Sequence, residues 1–325
     1  MVPQSEYAPA TSRLLSHLIG RYFPREVVTV VEGGADTAER LLELDWDFIF
    51  FTGSKRVGKI VHQKAAERTV PVVLELGGKN PCIIDETGVT KEHVHQIVWG
   101  KFLNAGQSCI APDTVYVQEA VFPQFLEMAR ESIRPFYGND SEKSADFGRI
   151  VSQNHFDRLV GYLEEGRVYS GGRHKREEHF LEPTLLTEVD PKSRVLQDEI
   201  FGPDLPVVPY ADLDGLLNEL NAKPSPLVTY FFSREETVAQ KAAHRLRSGA
   251  FSFNQVIRHA AASHLPFGGV GASGFGRYHG KAGFDTFTYQ KVQYMQKPFN
   301  GSTVQYPPYK ASQLGWLKKL RKYLF

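Results

Sequence analysis

Two cysteines, Cys82 and Cys109, are all the thiols in a chain of 325 residues. That is too few for a disulfide framework, and they lack the paired spacing of a zinc site, so a reducing, cytoplasmic setting fits. Net charge is as scarce: 38 basic against 37 acidic residues leave +1. Such a balance provides no field to gather nucleic acid or an acidic partner. No basic-then-apolar leader opens the chain, which starts Met1-Val2-Pro3-Gln4-Ser5-Glu6, and nowhere do about 18 apolar residues run uninterrupted. The expectation is a soluble protein. What the chain does have is bulk, since 42% hydrophobic residues at this length bury a large core in one big domain or two ordinary ones.

Element types alternate from the start. A helical stretch near Ala8 to Gly20 precedes the β-branched run Val27 to Val31, then a helix near Thr37 to Leu44, the apolar Asp47 to Phe51, a helix from Lys55 to Glu67 and the strand Pro71 to Glu75. Short apolar strands separated by helices of this length imply an α/β fold with a parallel, doubly wound sheet. A strand normally precedes the first helix of such a unit, so the unit reads as entered partway through, that is, as truncated. A second α/β layer follows, with strands Pro81 to Ile84, Thr114 to Val117, Leu205 to Val208 and Leu227 to Phe232, and surface loops at Gly138 to Asp146 and Gly171 to His179.

Several motifs bear on chemistry. Gly53-Ser54-Lys55-Arg56-Val57-Gly58-Lys59-Ile60 follows a strand and opens a helix, close to a P-loop, but Ile60 lacks the hydroxyl that would bind magnesium. What remains is a glycine beside a helix N-terminus, which favours a phosphate. Gly269-Val270-Gly271-Ala272-Ser273-Gly274 matches a dinucleotide fingerprint by letters only. It follows Leu265-Pro266-Phe267 rather than a strand, so it reads as a site wall. Cys109 lies in a small, polar loop, Asn104 to Pro112, of the sort that reactivity needs, whereas Cys82 sits in an apolar run and reads as core. Glu75 ends an apolar strand at the carboxyl edge of the sheet, where ligands gather. The structural alternative for it is a glutamate paired with a nearby base such as Lys79. The tail Leu314 to Phe325 sets Leu314, Leu317 and Leu324 near one helical face beside basic residues. It reads as a helix packing on its own subunit or a partner, with weak peripheral membrane association as the alternative.

Taken together, Phe51-Thr52-Gly53-Ser54, Leu74-Glu75-Leu76-Gly77-Gly78-Lys79, Asn104-Ala105-Gly106-Gln107-Ser108-Cys109, Glu199-Ile200-Phe201-Gly202-Pro203 and Pro266-Phe267-Gly268-Gly269 resemble, in order, the signature blocks of aldehyde dehydrogenases. Tyr278-His279-Gly280-Lys281 and Tyr306-Pro307-Pro308-Tyr309 resemble the class 3 branch of fatty and aromatic aldehyde dehydrogenases.

The resemblance implies NAD(P)-linked oxidation of medium- or long-chain aliphatic or aromatic aldehydes to acids, with NAD or NADP as cofactor. It gives Cys109 the role of nucleophile, forming a thiohemiacetal and then a thioester, and Glu75 that of general base. Gly53 and Ser54 would lie at the pyrophosphate, Glu199 at the nicotinamide ribose and Phe201 near the nicotinamide. No metal is implied. The implied fold is a partial Rossmann-type NAD(P)-binding domain over residues 1–76, a catalytic domain over 77–268, and a site-lining loop, oligomerisation segment and basic tail over 269–325, in a chain that forms a homodimer. An asparagine oxyanion donor, the early cofactor-sheet strands and the bridging hairpin belong upstream of what is present, and Pro3-Gln4-Ser5-Glu6 stands where a lysine normally reads the adenine ribose. A non-catalytic remnant or interaction subunit, and a cofactor-free thiol esterase, are the alternatives.

Overall fold

The computed structural model describes residues 2–4, 7–296 and 306–324, with side chains over 7–296 and 306–322. Ser5, Glu6 and the side chains of Gln4 and Leu324, which the sequence reading used, lie outside the described residues. The chain forms two compact units, Met1–Phe287 and Thr288–Phe325.

The strands that build the site are β1 (Ile49–Gly53), β2 (Val72–Leu76), β3 (Pro81–Ile84), β4 (Thr114–Gln118), β5 (Arg167–Ser170), β6 (Thr184–Thr187), β7 (Asp204–Tyr210), β8 (Val228–Phe232), β9 (Ala250–Phe253) and β10 (Gly274–Phe275). Seven of them form one sheet in the order β9-β8-β3-β4-β7-β6-β5. It is parallel throughout except for β5, which runs antiparallel to β6. A parallel interior is stable only when both faces are covered, and β3 and β8 are buried along their whole length. On one face lie Ile97, Val98 and Phe102 of helix Lys91–Phe102 with Phe125 and Ala129 of helix Phe122–Tyr137. The other face holds Leu216, Leu217 and Leu220 of helix Leu213–Ala222 with Ala239 and Ala242 of helix Glu236–Arg245. This is the expected doubly wound α/β arrangement, but it is built by the second layer; the strands of the opening alternation fall into two smaller sheets instead.

A three-stranded sheet, β10-β2-β1, carries the other half of the site. Its parallel pair β1–β2 is covered by helix Lys55–Glu67, whose Val61 meets Leu74 and Leu76. Ser54 caps this helix by accepting from the Val57 amide, as a serine before the first helical residue does. The strand β10 pairs with β2 antiparallel.

At the N-terminus the structure corrects one expectation. A strand, Val2–Gln4, does precede helix Pro9–Tyr22, and it pairs in parallel with Val30–Glu32. Three residues that include a proline are too short a run to show a strand pattern, and proline weighs against one. The polar segment 171–179 is not all loop either, since His174–Lys175 pairs with Phe180–Leu181. In the second unit Ala311–Leu324 is helical, in keeping with the stripe read there. No helix among the described residues is long and apolar enough to cross a membrane.

Candidate active site

Cys109 follows a left-handed turn. Asn104, Ala105 and Gly106 all adopt positive φ, at 53°, 52° and 75°. For the two non-glycine residues this costs energy that the surroundings must offset. Gln107 does so: its side-chain amide donates to the carbonyls of Asn104 and Arg149, while its oxygen accepts from the Val151 amide. Beyond the turn, Asn80 Nδ2 donates to the carbonyls of Cys109 (2.7 Å) and Ala111 (3.1 Å), and Asn80 Oδ1 accepts from the Val228 amide. One buried asparagine thus ties the cysteine loop to β3 and β8. Cys109 is half-buried, and burial, with the nearby Glu199 and Glu75 charges, pushes its thiol up to about 11, although the Cys109 and Ile110 amides favour the thiolate. Cys82, by contrast, is sealed in the core.

Glu75 is only 4% exposed, yet neither of its carboxylate oxygens accepts a hydrogen bond of normal geometry. Burial raises its pKa to about 7, opposed by the Arg277 guanidinium and the nearby Gly269 amide. Lys79 is not its partner. That ammonium pairs with Asp113 instead and donates to the carbonyls of Val195 and Asp198, because the chain turns away after Gly77. A buried carboxylate held close to neutrality is poised to exchange protons. The glycine-dense segment walls it in: a methyl group on Gly268 would stand 3.1 Å from Glu75 Oε1, and Gly274 pairs with Glu75 across β10 and β2.

Glu199 joins them. Burial, with Asp113, lifts its pKa to about 7 against the pull of Lys55, the Gly78 amide and Arg158. The next residue but one, Phe201, is held at φ 48° and meets His155 edge-on at 6.5 Å. Gly53 ends β1 and Ser54 caps the following helix, whose Lys55 is close enough to act on Glu199. Cys109, Glu75 and Glu199 therefore share one electrostatic environment, with the phosphate-favouring helix start beside it.

The aldehyde dehydrogenase family model matches residues 2–293. The chain belongs to the aldehyde dehydrogenase family. It is 49% identical over 291 residues to the 4,4'-diapolycopene-4,4'-dial dehydrogenase of Cytobacillus firmus, an alignment covering 90% of this chain and 64% of that one. It is 39% identical to mouse aldehyde dehydrogenase family 3 member A2, covering 98% and 66%. Among solved structures, the substrate-bound state of Staphylococcus aureus AldH superposes with a TM-score of 0.92 at 41% identity, covering 98% and 70%. A Mycobacterium tuberculosis aldehyde dehydrogenase complexed with NAD+ gives 0.81 at 28%, covering 89% and 62%. The chain spans about two thirds of the length of the curated relatives it matches.

In this aldehyde dehydrogenase chain the residues suit a nicotinamide dinucleotide. The Lys55–Glu67 helix opens directly after Gly53 and Ser54, where a phosphate is favoured, and Gly77 leaves room where any side chain would strike the Glu199 carboxylate. Three contributors escaped sequence reasoning. Asn80, between Lys79 and Pro81, carries no local signal. Arg277 gave no signal until the fold brought it beside β2. Tyr278, counted only as a class 3 marker, has its phenol pushed up to about 12 by burial and by the Glu75 and Cys109 charges. It forms an aromatic wall with Phe267 at 5.6 Å and Phe50 at 5.0 Å.

Proposed function

We propose that this chain oxidises aldehydes to carboxylic acids with NAD or NADP, Cys109 acting as nucleophile and Glu75 as general base. The observation that carries the proposal is the buried Glu75 carboxylate, without a hydrogen-bond partner, near enough for its charge to act on the Cys109 thiol. Gly53 and Ser54 hold the pyrophosphate, Glu199 the nicotinamide ribose, and Phe201 packs near the nicotinamide. Residues 1–76 then belong to the cofactor side, 77–268 to the thiol side, and 269–325 to the site wall and tail.

A bound nicotinamide would supply the acceptor for the hydride of the aldehyde carbon. The chain does the rest. Cys109 Sγ attacks the carbonyl carbon while its proton passes to Glu75, and the electron pair of the C=O bond moves onto oxygen. Once hydride has departed, a thioester remains on Cys109. Glu75 then releases that proton to solvent and takes another from a water molecule that attacks this thioester; the C–S bond breaks, Glu75 returns the proton to the departing sulfur, and the acid leaves with the thiol restored. A carboxyl near pH 7 suits this work, since it can both accept and release a proton at neutral pH.

The aromatic wall of Phe267, Tyr278 and Phe50 favours an apolar substrate tail, and relatives are named for 4,4'-diapolycopene-4,4'-dial and for aldehyde dehydrogenase family 3. Medium- or long-chain aliphatic and aromatic aldehydes are therefore the proposed substrates. Purified chain, a graded aldehyde series and NAD or NADP should yield reduced-cofactor absorbance. No turnover above a Cys109→Ala control would overturn the reading. A second reading, hydrolysis of activated esters without cofactor, is favoured by the same Cys109–Glu75 pairing and is tested by ester turnover in cofactor-free buffer.

Partners and location are proposed too: self-association as a dimer, a cytoplasmic location, and weak contact of helix Ala311–Leu324 with anionic membranes. Sedimentation, cell fractionation and vesicle flotation test them in turn.

A further inference from the structure

The segment that carries Glu199 is an irregular connection between the short helix Arg194–Gln197 and β7. Loops normally hand their backbone polar groups to water, yet here the groups on either side of Glu199 are taken by side chains from elsewhere in the fold. Lys79 Nζ donates to the carbonyls of Val195 (2.7 Å) and Asp198 (3.0 Å). Asp113, buried and paired with that ammonium, accepts the Ile200 amide at 2.9 Å. Arg158 spans the next two carbonyls, reaching Glu199 O at 3.2 Å with Nη1 and Ile200 O at 2.7 Å with Nη2. It is itself braced by Tyr162, whose hydroxyl accepts from Nη1 and donates to the Asp198 carboxylate.

The forked geometry of a guanidinium suits this task. Two donors in one plane fix two successive carbonyls in a set direction, which a lysine point charge does not do. The backbone immediately downstream is strained, with Phe201 in the left-handed region, and beyond it Gly202 O backs onto Gly106 of the cysteine turn. Strain of this sort persists only where neighbours over-determine it.

We propose that Arg158, with the Lys79–Asp113 pair behind it, is a positioning residue that aims the Glu199 carboxylate at the cofactor ribose. It touches neither cofactor nor aldehyde, and acts by fixing the backbone on either side of Glu199. The inference rests on the reading of Glu199 as a ribose ligand.

The test is a double-mutant cycle on dinucleotide affinity, measured by calorimetry on the full chain as wild type, Arg158→Met, Glu199→Gln and the double variant, with Arg158→Lys as a conservative control that keeps a cation over Tyr162. Misplacing one positioned group typically costs roughly tenfold to a hundredfold, so Arg158→Met should weaken binding by about tenfold or more and Arg158→Lys by less. The double variant should be no weaker than Glu199→Gln alone. In turnover, KM for the dinucleotide should rise while KM for the aldehyde holds, a split that general loosening of the fold would not give. Should Arg158→Met fail to fold, Arg158→Lys carries the same comparison. Binding within twofold of wild type in Arg158→Met, or additive losses in the double variant, overturns the inference while a weakened Glu199→Gln leaves the ribose reading standing. Unchanged affinity in Glu199→Gln overturns that reading, and the inference with it.

Discussion

The carboxylate of Glu199 rests on the α-carbon of Gly77: a methyl group there would come within 1.8 Å of Oε2 and 2.2 Å of Oε1. The cofactor-side acid and the glycine two residues after the proposed base are thus one packed unit. Gly77 sets the Glu199 carboxylate two residues along the chain from Glu75.

Replacing Gly77 by alanine should therefore move Glu199 without unfolding the chain, because the obstructed atoms are the far end of a side chain that can swing away. About a tenfold loss of dinucleotide affinity, read by calorimetry, with a melting midpoint close to wild type is expected. Affinity equal to wild type would show that the Glu199 carboxylate is not needed where it lies.

The pH dependence follows from Glu75. A general base works only when ionised, so turnover limited by Glu75 should fall about tenfold per unit below a midpoint near pH 7. Arg277 opposes the upward shift, so Arg277→Met should carry that midpoint to higher pH, and Glu75→Gln should abolish the limb. Profiles of ester or aldehyde turnover against pH check all three, and an Arg277→Met midpoint at or below that of wild type would refute the electrostatic assignment.

Stability should respond to the same group with a defined sign. The folded pKa of Glu75 is raised from 4.5 to about 7, so burial of the ionised form is a cost that is fully present above about pH 7. The cost fades as pH falls through that value toward 4.5, reaching up to about 3 kcal/mol where the group is ionised. Glu75→Gln should thus unfold at higher urea than wild type near pH 8 and at similar urea near pH 4.5. Equal shifts at both pH values would rule this out.

Asn80 makes three bonds that no other described residue duplicates. Asn80→Ala should lose on the order of 2–4 kcal/mol, since the Cys109 and Ala111 carbonyls and the Val228 amide are left short of partners. It should also change the alkylation rate of Cys109. Chemical denaturation and iodoacetamide labelling measure the two effects, and a variant unaltered in both would remove Asn80 from the site.

Much of this was legible in the chain. Apolar runs too short for helices, spaced by helical stretches, announced the parallel sheet, because both periodicities are local. Cys109 and Glu75 stood out because one sits in a polar loop and the other ends an apolar strand. Arg277, Tyr278 and Asn80 did not, since their roles depend on contacts across distant parts of the chain that no local pattern encodes. Lys79 misled for the opposite reason. It is four residues from Glu75, yet its side chain goes to Asp113, because closeness in sequence does not fix direction after a strand has ended.

β10 is only two residues long, but Gly274 and Phe275 are the second neighbours of Glu75 and Leu74. Roughly two hundred residues must leave the ribosome after Glu75 before that partner exists. Until then the strand bearing Glu75 has an open edge. Enclosure of that carboxylate consequently waits on one of the last segments of the first compact unit to be synthesised.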